Sequence, residues 1–207
     1  MKRERICLII ALIVAFVFTG VLLKERRNLI SVREELAQEA LAEEVLRFHV
    51  LANSDKEEDQ RVKLKVKEEV LTYMKKHLPK GADRMTTRNW VRENLTKIES
   101  VAVETLQAED CPSNVTAKLE RVMFPQKTYG DITFPAGEYE ALRIEIGEAK
   151  GQNWWCCLYP NLCFISSVHA VVPEEGKQEL QSVLDEDSYE MITANTDFKI
   201  KWFFLGE

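Results

Sequence analysis

Histidine is scarce in this chain of 207 residues: there are three, His49, His77 and His169. None stands in a G-x-S-x-G or Cys/His signature, so nucleophilic catalysis has little to draw on. Positive charge is also in short supply. With 28 Lys+Arg against 34 Asp+Glu the net charge is −6, the wrong sign for a nucleic-acid binder, whose affinity comes largely from neutralised phosphates. There is no internal repeat and no low-complexity tract. C-x2-C and H-x3-H spacings are missing, which speaks against a structural zinc site. Cys156, Cys157 and Cys163 with His169 can be drawn as a ligand set, but adjacent cysteines rarely both face one metal. No metal and no cofactor is expected.

What is present begins with an apolar run. Residues 6–23, ICLIIALIVAFVFTGVLL, carry no charge and at about 1.5 Å per residue cover most of a roughly 30 Å hydrocarbon layer. The leader MKRER precedes them, so the positive-inside rule keeps the N-terminus in the cytoplasm and sends the rest across. The run ends in Thr-Gly-Val-Leu-Leu before Lys24, Glu25, Arg26 and Arg27, a poor cleavage context. An uncleaved anchor is therefore favoured over a signal peptide. Without residues 1–23 the chain keeps 25 basic and 33 acidic residues, a charge of −8.

Residues 24–44 are charged, rich in helix formers and free of Gly and Pro, and read as a helical stalk or linker. Residues 45–207 suit one extracytoplasmic domain. It opens on VLRFHVLA (45–52), alternating as a strand does. Ser54 and Glu57 form an expected capping box for a helix to about Leu78, with Glu57/Arg61 and Asp59/Lys63 pairs at four-residue spacing. A second helix, 87–108, gathers Trp90, Val91, Leu95, Ile98, Val101, Ala102, Thr105 and Leu106 on one face. Strands are expected over 115–124 and 137–146, separated by breakers at Pro125 and Tyr129-Gly130-Asp131. A short helix over 174–186 and a closing strand over 198–206 complete the reading. The fold class is α+β, with helices packed on a mixed or antiparallel sheet.

Residues 151–164, GQNWWCCLYPNLCF, hold two tryptophans and three cysteines. Outside the membrane cysteines tend to pair. Cys156 with Cys163 closes a short loop through Pro160-Asn161, worth on the order of 2 to 3 kcal/mol; Cys157 and Cys111 are the alternative mates. Trp154 and Trp155, adjacent on an extended chain, face opposite sides, so one ring is expected in the core and the other on the surface as an anchor for a protein partner. Tyr159 belongs to the same candidate contact, as does the strand-to-helix junction Asn53, Ser54 and Asp55. Carboxylate pairs such as Asp55/Asp59 and Glu138/Glu140 allow a competing reading, a cell-envelope hydrolase or peptidoglycan-binding module acting in a septal space.

Three stretches carry a resemblance: RFHVLANSDKEEDQRVKLKVKEEVL (47–71), FPQKTYGDITFPAGEYEALRIEIGEAKGQNWWCCLYPNLCF (124–164) and the N-terminal export segment. Together they resemble stage II sporulation protein R of endospore-forming bacteria, over roughly residues 45–172. The resemblance implies a signalling protein, not an enzyme. Members of that family are exported from the forespore into the space between the two membranes, where they switch on a membrane-embedded aspartic protease of the mother cell. That protease cleaves an inactive sigma-factor precursor. The family pattern places its two loop cysteines on Cys156 and Cys163; Cys157 stands where a branched aliphatic residue is usual, and Cys111 is outside the pattern. The implied partners are the protease and, through residues 6–23, the membrane, with no nucleic acid and no small-molecule substrate.

Overall fold

The computed structural model describes residues 2–160, 172 and 174–193, the side chains of residues 2–11 and 175 excepted. The chain forms two compact units, Met1–Glu39 and Ala40–Glu207. The first unit is helical: α1 (Lys2–Glu44) starts in it and ends in the second. Leu12, Ile13, Val14, Phe16, Val17, Phe18, Val21, Leu22 and Leu23 are each more than half exposed. Among the described residues no helix is long and apolar enough to cross a membrane; the apolar run starts at Ile6, and the side chains of residues 6–11 lie outside that description.

The second unit is α+β. Its elements are β1 (Leu46–Leu51), α2 (Glu57–His77), α3 (Arg84–Ala108), β2 (Val115–Phe124), β3 (Lys127–Tyr129), β4 (Ile132–Phe134), β5 (Gly137–Ile146), β6 (Asn153–Tyr159), α4 (Glu174–Val183) and α5 (Glu186–Thr193). The main sheet has the order β2-β5-β1-β6 and is mixed: β1 runs parallel to β5, while β1–β6 and β2–β5 are antiparallel. All six residues of β1 are buried, because this strand is central and both its faces are covered.

On one face α2 and α3 lay their apolar stripes, Val62, Val66, Val70 and Met74 with Val91, Ile98, Ala102 and Leu106, against Phe48, Val50, Leu142 and Ile144. Leu71 is buried beside this stripe, while Leu64 is exposed. On the other face Phe124, Tyr139, Ala141 and Cys157 meet Ile132 and Phe134 of the β3–β4 hairpin, Leu41 and Ala42 from the end of α1, and Leu180, Leu184 and Ile192. The breaker at Gly130 is thus the tip of a small hairpin, two strands too short to show a period.

Four local expectations are corrected. Lys56, not Ser54, caps α2, without a side-chain bond, and no capping box forms. Asp83 caps α3 by accepting from the Thr86 amide, which starts that helix at Arg84. The expected Glu57/Arg61 and Asp59/Lys63 pairs give way to Arg61 with Glu109, Asp59 with Asn53 and Ser54, and Lys63 with Gln60 and the Gln152 carbonyl. The helix expected over 174–186 is two helices, divided where Asp185 accepts from the Ser188 amide (2.6 Å). The closing strand over 198–206 lies outside the described residues.

Glu140 of β5 locks α3 to the sheet. Arg88 Nε donates to both its oxygens (2.7 and 2.9 Å) and Arg84 Nη2 to one of them (3.2 Å), at 13% exposure of the carboxylate side chain. Glu140→Ala leaves two partly buried guanidinium groups without their shared acceptor and is expected to cost about 2–3 kcal/mol. Thermal unfolding should show it exceeding Glu138→Ala, whose carboxylate is exposed and meets only Arg121 at 3.4 Å.

Candidate functional site

The tryptophans stand on an edge strand. Among the described residues β6 has one neighbour, β1, in a register that sets Val50 opposite Trp154, His49 opposite Trp155 and Phe48 opposite Cys156. Trp154 meets Phe48 edge-on at 5.6 Å on the α2 side of the sheet, with Lys67 Nζ 5.3 Å from its ring centre. Trp155 stacks on His49 at 4.8 Å and meets Phe124 at 4.6 Å on the other side, with Lys127 Nζ at 5.9 Å. The rings do point to opposite faces. The expectation of one core ring and one surface ring is corrected: both are half-buried, because each sheet face has its own apolar cluster to receive one. Tyr159 is buried in the first cluster, and burial pushes its hydroxyl above the usual range.

Cys156 and Cys157 are buried within β6. Cys157 Sγ donates to the Tyr159 carbonyl at 3.0 Å, and burial drives its thiol far up. No disulfide joins Cys111, Cys156 and Cys157 to one another among the described residues. Cys163 and His169 lie outside them, so the Cys156–Cys163 pairing is taken up below as a proposal. No metal-binding cluster occurs among the described residues. His77 Nδ1 lies 2.8 Å from the Tyr73 carbonyl at the end of α2.

Arg47 and His49 share one face of β1; the sequence reading set His49 aside as a catalytic group and passed over Arg47. Arg47 is fully buried in a box of rings, its guanidinium carbon 4.6 Å from Phe124 and Phe134, 5.0 Å from Tyr139 and 5.8 Å from Tyr129. Nε donates to the Cys156 carbonyl (3.1 Å) and Nη2 to the Tyr129 hydroxyl (3.0 Å), while Nη1 has no partner among the described residues. The available signal was an arginine inside an apolar strand, with aromatic residues at 124, 129, 134 and 139. His49 is 3% exposed and both its ring nitrogens lack hydrogen-bond partners among the described residues. Burial first, then the charge of Arg143, with Glu145 opposing, pushes its pKa down to about 3.

The junction after β1 is tied to the turn before β6. Asn53 Nδ2 and Ser54 Oγ both donate to Asp59 Oδ2, Asn53 Oδ1 accepts from the Glu148 amide (3.0 Å), and Asp55 Oδ1 accepts from the Gln152 amide (2.7 Å). Backbone bonds from Lys150 and Gly151 to Asn53 and Ala52 complete the clamp. A Cβ on Gly147 would meet Asn53 Oδ1 at 2.2 Å, and one on Gly151 the Ser54 carbonyl oxygen at 2.2 Å. Asn53, Ser54 and Asp55 thus hold the turn that sets β6 beside β1. Asp55 and Asp59 are both engaged in it; Glu140 is held by Arg84 and Arg88, while Glu138 is exposed and meets Arg121 at 3.4 Å.

Residues 42–169 match the family model described as Stage II sporulation protein R. The chain is 29% identical over 197 residues, 95% of its own length and 86% of the relative's, to a protein named Stage II sporulation protein R from Bacillus subtilis (strain 168). No solved structure matches.

Two measurements check this geometry. Gly147→Ala and Gly151→Ala are each expected to lower stability by on the order of 2 kcal/mol or more, since left-handed backbone at Gly147 costs about 1–2 kcal/mol before the contact with Asn53 is counted. Thermal unfolding reads both. For His49 the folded pKa lies below the unfolded value near 6.5, so between pH 6.5 and about 3 the unfolded chain binds the extra proton. Its contribution is whole above pH 6.5 and is lost as pH falls, with a slope approaching about 1.4 kcal/mol per pH unit. His49→Phe should lack that part of the slope.

Proposed function

Because the chain belongs to the stage II sporulation protein R family, we propose that it is an exported sporulation signalling protein. In this reading residues 6–23 carry the folded unit out of the cytoplasm into the space between forespore and mother-cell membranes and stay as its anchor. There it binds a membrane-embedded aspartic protease of the mother cell, and the activated protease processes an inactive sigma-factor precursor. The observation that carries the reading is the family match over residues 42–169, which takes in the whole main sheet with α2, α3 and the edge strand.

The geometry supports a ligand over a catalyst. Of the carboxylates that suggested a hydrolase, Asp55, Asp59 and Glu140 are bonded within the fold, and burial holds the histidine on β1 neutral. Activation by binding requires that the protease's active arrangement be bound more tightly than its inactive one, for equal affinity shifts nothing. The contact we assign runs along β6, with Trp154 and Trp155 beside it and the Asn53–Ser54–Asp55 clamp positioning it. Export lets Cys156 pair with Cys163, which fixes the segment following β6.

Reconstitution tests this. With protease and precursor in a non-sporulating host, processing is expected when the chain is exported and not when it is confined to the cytoplasm. Alanine at Trp154 and Trp155 together should lower processing while the chain still folds, and mass analysis of the exported chain should find the Cys156–Cys163 link. Degradation of cell-wall material by the purified chain, abolished together with processing by Asp55→Asn, would favour the hydrolase reading instead.

A further inference from the structure

We propose that the open edge of β6 receives an extended, acidic segment of the partner as an added strand, and that Lys67 and Lys127 read its charge. The inference rests on the signalling reading above and specifies how its contact is made. Four observations lead to it. Among the described residues β6 is paired on one side alone. Its two half-buried tryptophans lie on opposite faces, and each has a lysine ammonium over its ring, from α2 on one face and from β3 on the other. Neither ammonium forms an ion pair with a described residue, in a unit where most other cations near the sheet do: Arg84, Arg88, Lys118, Arg121 and Arg143 all hold carboxylates. Finally, Lys67 and Lys127 are half-buried, so their charges are less screened than those of fully exposed lysines.

An added strand satisfies this arrangement in a way that a helix or a flat surface does not. Its backbone groups pair with the outward amides and carbonyls of β6, and its successive side chains point to alternate faces of the sheet. Two carboxylates whose positions differ by an odd number therefore reach both lysines at once, one on each face. Aliphatic or aromatic neighbours on the same strand cover the tryptophan edges. Lysines near an edge can also serve to discourage self-pairing, and those lysines usually sit on the edge strand itself. Here they come from two other elements and converge on the rings that flank it.

The experiment uses the full chain. In hydrogen exchange of the free protein in detergent, the alternate amides of Asn153–Tyr159 that β1 does not engage should exchange as open groups. If they are protected, and the protection is lost on removing residues 194–207 or on dilution, the edge is occupied by the chain's own tail or by a second copy, and the proposal fails. In the processing assay the wild type is run first. Absence of processing by wild type overturns the signalling reading, and this inference with it. Where wild type is active, Lys67→Glu/Lys127→Glu should lower processing by about tenfold, with added salt weakening the wild type as well. Lys67→Met/Lys127→Met, which keeps the packing over the rings, should show a smaller loss and guards against misfolding of the charge-reversed chain. Wild-type processing by both double variants would overturn the edge inference while leaving the signalling reading intact. Self-association of the Met variant without loss of processing would assign the lysines to edge protection and overturn it too.

Discussion

A charged group in the middle of the central strand constrains the second layer of this fold. Arg47 is fully buried between β5 and β6, where an uncompensated guanidinium would cost several kcal/mol even after relaxation. No carboxylate pairs with it among the described residues. Its surroundings are four aromatic rings from β2, β3, β4 and β5, with one carbonyl and one hydroxyl as acceptors. Desolvated cation–π contacts reach about 2 kcal/mol each, so the box offsets a good part of that cost only if all of its walls are in place. The β3–β4 hairpin, two strands of three residues, supplies two of those walls. Too short to be stable by itself, it is held by closing over the cation and by α5 behind it.

The same strand sets the edge that carries the tryptophans. Phe48 and His49 are neighbours on β1 and face opposite ways; Phe48 supports Trp154 and His49 supports Trp155. The two rings are therefore fixed by adjacent residues of the best-buried element in the molecule. Burial first, and then the charges of Arg143 and Arg47, keep the His49 imidazole neutral, so it can act as a flat surface for Trp155. The clamp of Asn53, Ser54, Asp55 and Asp59 fixes the far end of β6 at Gln152. Polar residues that read as a capping box thus serve the register of an edge strand.

How much of this could be read from the sequence follows from the period of each element. The face of α3 and the strands β1, β2 and β5 are long enough for their alternation to be unambiguous, and their calculated places agree with the fold. The cap of α2 was misplaced because Ser54 has two uses with one sequence signature: it can bond a helix amide, or bond a carboxylate one turn on, and Asp59 wins here. The hairpin was missed because three-residue strands carry no period. Arg47 was missed because a buried cation is a long-range property: its compensation comes from residues 77 to 109 positions away. The tryptophans were read on an extended chain closed by the cysteines, and NWWCCLY is indeed extended, a seven-residue strand paired with β1.

An edge that is rigid before its partner arrives changes what binding can accomplish. Ordering a flexible loop on docking costs roughly 0.5–1.5 kcal/mol for each immobilised rotamer-rich side chain, and that cost would be drawn from the free energy available to move the partner. On β6 the rings are already held by β1, by the two clusters and by the lysines above them, so little of it remains to be met. A signal that acts by shifting a partner's equilibrium is limited by its differential affinity for the partner's two arrangements. An added strand makes that difference large in a natural way, because backbone pairing needs an extended segment in register and is lost when the segment is folded back or displaced. The discriminating feature would then be the partner segment's conformation, with the charges on its two faces choosing which extended segment is accepted.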